Sequence, residues 1–300
     1  SVSAWAGIHY FASRHGFHAP GDDAGEREGV LTWPEGNAWL TRRMAAPLVE
    51  GAGGRLRAGR VVQRIEAGRQ GVTVDAWDAA TDTVERWQAI NCIVALPVFV
   101  AARVVVNPPD FLREAAARTR YSPWLVANLH IERALHDRPG APPSWDNVLY
   151  GSASLGYVDA MHQNLQRVPG ATVLTYYLAL GDAPDNRLRL LQQPWSHWRD
   201  TIVAELSVPH PDLREKLRRM DITRYGHAMA VPVPGTLRNG HFQVRNRLSP
   251  ASAGHEQLQE YERLTPSEGR LHFAHSDWSG YSVFEEAFTR GHAAAVSLRA

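Results

Sequence analysis

The chain of 300 residues is poor in several things at once. It has one cysteine, Cys92, so no intramolecular disulfide can staple it, and in the apolar run "INCIVALP" that thiol reads as a small core residue. It has one lysine, Lys216, so every other basic residue is arginine. A net charge of +1 gives no general attraction to nucleic acid or to an anionic membrane. No apolar run is long enough to span a bilayer and no signal peptide is visible; the compartment stays open, with the cytoplasm slightly favoured. A serine-hydrolase elbow, G-x-S-x-G, is missing, because "GSASLG" at 151–156 has Ser152 where the first glycine should stand. A metal site is not expected either, since His272 and His275, the histidines nearest Asp277, point to opposite faces of a strand. Ser1 opens directly on ordered-looking text, which reads as a portion of a longer protein.

What is present is a globular composition, 44% hydrophobic, with ten Trp and nine Tyr that form a core and supply candidates for an aromatic pocket. "LTWPEGNAWLTRRMAAPLVEGAGG" predicts a turn and then a helix from Asn37 to Val49, stopped by glycines. "RVVQRIEA", "GVTVDAWD" and "VERWQAINCIVALP" predict a β-meander running into a buried strand that ends at Pro97. Further on, a helix is expected near Pro109–Thr119, then strands in "WLVANLHIE", "DNVLYGS", "LGYVDAM" and "ATVLTYYLAL", then helices near 195–206 and 210–219. "REKLRRMDITR" carries both charge signs and reads as a helix surface. Residues 236–268 are polar and irregular, and "GRLHFAHSD" returns to a strand before a last helix from about Val283 to Arg299. The strands and helices are segregated from residue 98 onward, which is α+β organisation.

The closing segment, "HFAHSDWSGYSVFEEAFTRGHAAA", concentrates the chemistry. Phe284, Ala287, Phe288, Gly291, Ala294, Ala295 and Leu298 fall at helical spacings of three and four, predicting a narrow face in close contact with the core. Ser282 and Glu285 form S-x-x-E, the pattern of a capping box. The helix start, with its N–H groups and positive dipole end, faces a loop holding Asp277, an arrangement suited to a ligand with hydroxyl and carbonyl or anionic groups.

These residues resemble the C-terminal flavin-contacting segment of the flavin-containing amine oxidase superfamily. There an acidic residue precedes an aromatic loop and a helix of the type E-G-A-x-x-S/A-G-x-x-A-A; Glu285, Glu286, Ala287, Gly291, Ala294 and Ala295 occupy the helical positions. "WPEGN" resembles the family's P-x-G turn, "RVVQRIEAGRQGVTV" its hairpin and "NCIVALP" its D-x-V-I-x-A-x-P strand, all in the family's order. The resemblance implies an FAD-dependent oxidoreductase that moves hydride from an amine or another C–H or N–H substrate to flavin N5.

It also implies site residues. Ser276 and Asp277 would stand at the ribityl or pyrophosphate part of FAD, and the main chain of Phe284, Glu285, Glu286 and Ala287 at the flavin pyrimidine. Val62, Ala95 and Pro97 would lie at the adenine end. Tyr281, Trp278, Trp124 and Tyr225 would supply an aromatic wall, and His227 a substrate contact. No catalytic side chain is designated. The family's Gly-x-Gly-x-x-Gly strand–turn–helix does not occur in these residues, and the position of its flavin-facing lysine falls near Val126. The expected fold is α/β plus α+β. An incomplete FAD/NAD(P)-binding-like domain (1–97, with 269–300 returning to it) would carry an inserted substrate domain (98–268, irregular at 236–268) on a mixed or antiparallel sheet. The partner would be a small-molecule substrate; oligomeric state is not legible. A different class of function, a non-catalytic chain that keeps the fold for binding or assembly, is the alternative, and flavin binding discriminates between them.

Overall fold

The computed structural model describes residues 2–12, 35–49, 55–137, 140, 144–163, 168–235 and 265–298. The expected turn residues Trp33 and Pro34 and the irregular stretch 236–264 lie outside them. The chain forms two compact units. One holds Asn37–Arg120 together with the N-terminal helix and the closing segment; the other holds Tyr121–Met229. The divisions thus fall at 120/121 and 229/230, beside the 97/98 and 268/269 expected from composition.

In the first unit, helices α1 (Ala4–Ala12) and α2 (Asn37–Val49) precede a meander of β1 (Arg60–Ala67), β2 (Val72–Asp78) and β3 (Thr83–Ala89). The expected helix at Asn37–Val49 is present, although none of its residues is buried. β1 and β2 pair antiparallel, with a bulge between Val62 and Arg64. The run "VERWQAINCIVALP" is two elements and not one. β3 stays in the meander, where Arg86 pairs with Asp75 and Arg60 with Glu85, whereas β4 (Cys92–Val94) joins a second sheet. Its outward charges keep β3 at the surface, and only from Cys92 onward is the strand apolar enough to be interior.

After β4 come α3 (Val98–Val104) and α4 (Asp110–Arg118), each preceded by a proline that fixes φ and has no N–H to leave unsatisfied. The sequence reading missed α3. Val98 and Ala101 of α3, and Val105 just after it, are buried, in a core with Ile65, Val94, Leu112, Phe273 and Trp278.

The second unit is a five-stranded sheet in the order β6-β7-β8-β5-β9, made of β5 (Arg120–Ile131), β6 (Asp146–Asn147), β7 (Gly156–Asp159), β8 (Thr172–Ala179) and β9 (Leu217–Val231). Helices α5 (Pro184–Gln192), α6 (Trp195–Leu206) and the short α7 (Leu213–Lys216) stand between β8 and β9. Strict alternation on β5 decides which face is interior. Leu125, Ala127, Leu129 and Ile131 pack with Leu174, Tyr176 and Leu178 and with Leu190, Trp198, Ile202 and Leu206 of α5 and α6. The opposite face carries Trp124, Val126, Asn128 and His130, across from Ala179, Tyr177, Thr175 and Val173. Gly156 is required here: its φ is +91°, and a Cβ would lie 1.8 Å from the Asn147 carbonyl oxygen. "REKLRRMDITR" corrects a sequence expectation, since its helix ends at Lys216 and the rest is strand β9. Leu217, Met220 and Ile222 are the apolar residues that the core takes from that stretch.

The chain closes with β10 (Ser267–Glu268), β11 (Leu271–Phe273), a 3-10 turn (Ser276–Ser279) and helix α8 (Phe284–Ser297), all in the first unit. β11 pairs parallel with β4 and antiparallel with β10.

Candidate functional site in the first unit

β4 and β11 are parallel neighbours, so their C-terminal ends emerge side by side, and each leads toward a helix start. This is the position at which open α/β sheets bind ligands. Asp277 ties the two connections together. Only 2% exposed, it accepts a 3.0 Å hydrogen bond at Oδ2 from the Val98 backbone N–H, the first residue of α3. Its Oδ1 lies 3.2 Å from His275 Nδ1, and its own N–H donates to that nitrogen at 3.1 Å. The carboxylate therefore caps α3 across 179 residues of sequence. Ser276 is buried beside it, and its carbonyl accepts from the Ser279 hydroxyl at 2.7 Å.

The start of α8 differs from its expected form. The N-cap is Val283 and no side chain caps the helix. Ser282, expected to cap it, instead accepts at Oγ from the Ala230 N–H at 2.9 Å, and so ties the end of β9 to this loop. The buried face is rotated as well. Arg290, Ala293 and Ala294 are buried, with Glu286 half-buried one turn before Arg290, while Ala287, Phe288 and Ala295 are exposed. Of the expected stripe only Ala294 is fully buried, and the rings of Phe284, Phe288 and His292 stack along the helix. Burial draws the Arg290 guanidinium down to about 10, against the opposing pull of Glu286 3.8 Å away.

The remaining expected residues sort as follows. Ala95 is exposed and Pro97 half-buried, both between β4 and α3 and so next to the Asp277 turn. Val62 is half-buried on β1 beside the bulge, where the main chain leaves the regular ladder. Tyr281 is half-buried, its ring edge-on to His9 at 5.0 Å, and His9 stacks on Trp5 at 5.2 Å. Trp278 is a core residue, 1% exposed, packed with Phe111 and Phe273, which removes it from the pocket wall. Trp124, Tyr225 and His227 belong to the second unit. Trp124 is half-buried on β5, Tyr225 is exposed on β9, and His227 bonds Arg187 and meets the Tyr121 ring edge-on at 5.5 Å.

Two further groups are marked by desolvation. Burial raises the Cys92 thiol and lowers the His272 imidazole, the one on β4 and the other on β11. Among the described residues no group of three His, Cys, Asp or Glu could hold a metal ion, and no helix is long and apolar enough to cross a membrane. What sequence reasoning missed at the site is the start of α3, whose signal was a proline before apolar residues at 98, 101 and 105.

A profile of the flavin-containing amine oxidoreductases matches residues 4–299. The chain belongs to that family. Solved structures with the same fold include cyclohexylamine oxidase from Brevibacterium oxydans IH-35A, 16% identical with a TM-score of 0.56, covering 88% of this chain and 52% of that one. Putrescine oxidase bound to putrescine gives 17% identity and a TM-score of 0.58, covering 88% of this chain and 53% of the other. The family member described here thus spans about half the length of the oxidases it matches. No curated protein sequence matches it.

Proposed function

We propose that these residues form the flavin-facing and substrate-facing portion of an FAD-dependent amine oxidoreductase. The observation that carries the reading is the family match over 4–299, together with parallel strand ends at Ala95–Pro97 and Ser276–Asp277 beside a helix start that no side chain caps. In this reading the first unit is the incomplete FAD-binding domain and the second is the inserted substrate domain. FAD, when bound, supplies a two-electron acceptor that takes hydride from the substrate carbon at its N5.

The donor chemistry present fits such a group at its flavin end. The main-chain N–H groups at Phe284 to Glu286 and the positive end of α8 stabilise electron-rich carbonyl oxygen. Ala95 and Pro97, with the bulged main chain at Val62, offer a small-residue surface for a planar ring. Asp277 takes a different role from the one its motif implies. Its carboxylate is turned inward to Val98, so it is a positioning residue that fixes the α3 start and the Ser276–Ser279 turn against each other. Tyr281, held edge-on by His9, would exclude water from the substrate.

Because these residues include no Gly-x-Gly-x-x-Gly cradle for the pyrophosphate, the 300-residue chain by itself is expected to hold FAD weakly. The test is anaerobic: the protein is saturated with FAD, a primary amine is added, and the visible flavin band is followed. Bleaching that saturates with amine supports the reading. FAD binding without bleaching by any amine would move the protein to a binding role, and stoichiometric tight FAD in the 300-residue chain would contradict the weak-affinity expectation.

A further inference from the structure

The second unit contains a hollow of about 400 Å³ that the proposed flavin chemistry does not use. It lies where the end of β5, the start of β8 and the start of β9 meet the 3-10 turn Ala160–Gln163. Met161, Ala171 and Val173 give it apolar walls. Its charged margin is compensated pair by pair. Glu132 accepts from Arg218 Nε, at 2.5 Å, and also pairs with Arg133 at 3.4 Å, and Asp221 accepts from Arg219 Nε at 2.8 Å. Each of these charges already has an opposite partner, so an ionised ligand would have to compete with an existing pair for its counter-charge.

One polar group on the wall is oriented. His130, across β8 from Val173, has Nε2 2.9 Å from Asp221 Oδ2. Asp221 is held below the usual carboxylate range by its bond to Arg219, with His130 a further contributor, so the carboxylate is ionised and accepts. In the neutral ring this places the proton on Nε2 and leaves Nδ1 as an acceptor. A thioether at Met161 favours an aromatic partner.

We propose that this hollow is a binding site for a small, uncharged aromatic alcohol, whose ring contacts Met161 and Val173 and whose hydroxyl donates to His130 Nδ1. The site lies within the second unit and is independent of flavin.

Fluorine NMR on the 300-residue protein tests it with three probes: 4-fluorophenol, fluorobenzene and 4-fluorobenzoate. One neutral hydrogen bond corresponds to about a two- to tenfold preference, so 4-fluorophenol is expected to bind several-fold more tightly than fluorobenzene, and 4-fluorobenzoate least. His130→Phe keeps the ring volume and removes the acceptor, so the two neutral probes should then bind equally; Val173→Trp fills the hollow and should abolish both. Circular dichroism establishes that each variant is folded, and if Val173→Trp is not, His130→Phe decides alone. Absence of saturable 4-fluorophenol binding, parity of the two neutral probes in the unaltered protein, or a preference that survives His130→Phe would overturn the assignment.

Discussion

Replacing Asp277 with alanine removes the acceptor that caps α3, and the size of the effect follows from its surroundings. The side chain is 2% exposed, so water does not take over the bond to Val98 N–H. A hydrogen bond to a charged group contributes about 1.5–3 kcal/mol, and a buried donor left unsatisfied costs about 1–3 kcal/mol. The two overlap, giving an expected loss of about 2–4 kcal/mol for Asp277→Ala. Asp277→Asn keeps an oxygen acceptor and loses only the charge, for about 1 kcal/mol. With two compact units, a single urea transition need not report on the right one. Native-state hydrogen exchange at the Val98 amide does, because that N–H is the donor. The expected result is a graded loss of protection, alanine more than asparagine, and FAD affinity that falls with alanine and is retained with asparagine. A loss below about 0.5 kcal/mol for alanine, with Val98 exchange unchanged, would refute the positioning role.

Gly156→Ala should abolish the β6–β7 hairpin or leave the protein insoluble, because the added Cβ meets backbone 1.8 Å away in a left-handed conformation; a soluble variant with unaltered thermal unfolding would contradict this. Leu129→Ala, at a position with no exposure in the second unit's core, should cost about 2–5 kcal/mol in denaturant titration. Acid should weaken the meander. Asp75 is held below the usual range by Arg86, Asp78 by the Ala80 N–H with Arg60 adding to it, and Glu85 by Arg60. Folded values lower than unfolded ones mean that this stability is present above about pH 4 and is lost as pH falls through the folded values. Arg86→Gln should flatten the decline between neutral and acid pH; a melting temperature just as acid-sensitive in the variant would count against it.

Long periodic segments were legible in the sequence. The meander strands, the helix at Asn37–Val49, the alternation of β5 and the helix at Trp195–Leu206 follow from spacing alone. Short elements and the cap of α8 were not. The S-x-x-E pattern of Ser282 and Glu285 has the form of a capping box, yet a competing donor, Ala230 N–H, takes the serine oxygen. The small-residue stripe of α8 reads as an interior face, but of its residues only Ala294 is fully buried, and it shares the interior with Arg290 and Ala293. The alternating charges of 214–224 are compatible with a helix or an exposed strand, and the pairing of β9 decided between them. At the site, Asp277 could be singled out from its motif, but its partner could not, since nothing local marks a main-chain donor 179 residues away.

That separation bears on how the protein is made. Among the described residues the parallel partner of strand β4 is β11, synthesised much later, whereas most of the second unit is the single stretch Tyr121–Met229. On the ribosome the second unit can close around its own core first, while β4 and the uncapped start of α3 wait, with Val94, Val98 and Phe111 uncovered, for β11 and the turn after it. The first unit is therefore the stretch exposed to chaperones and proteases during synthesis, and pulse proteolysis of stalled nascent chains should show protection appearing for Tyr121–Met229 before it appears for Arg60–Arg120.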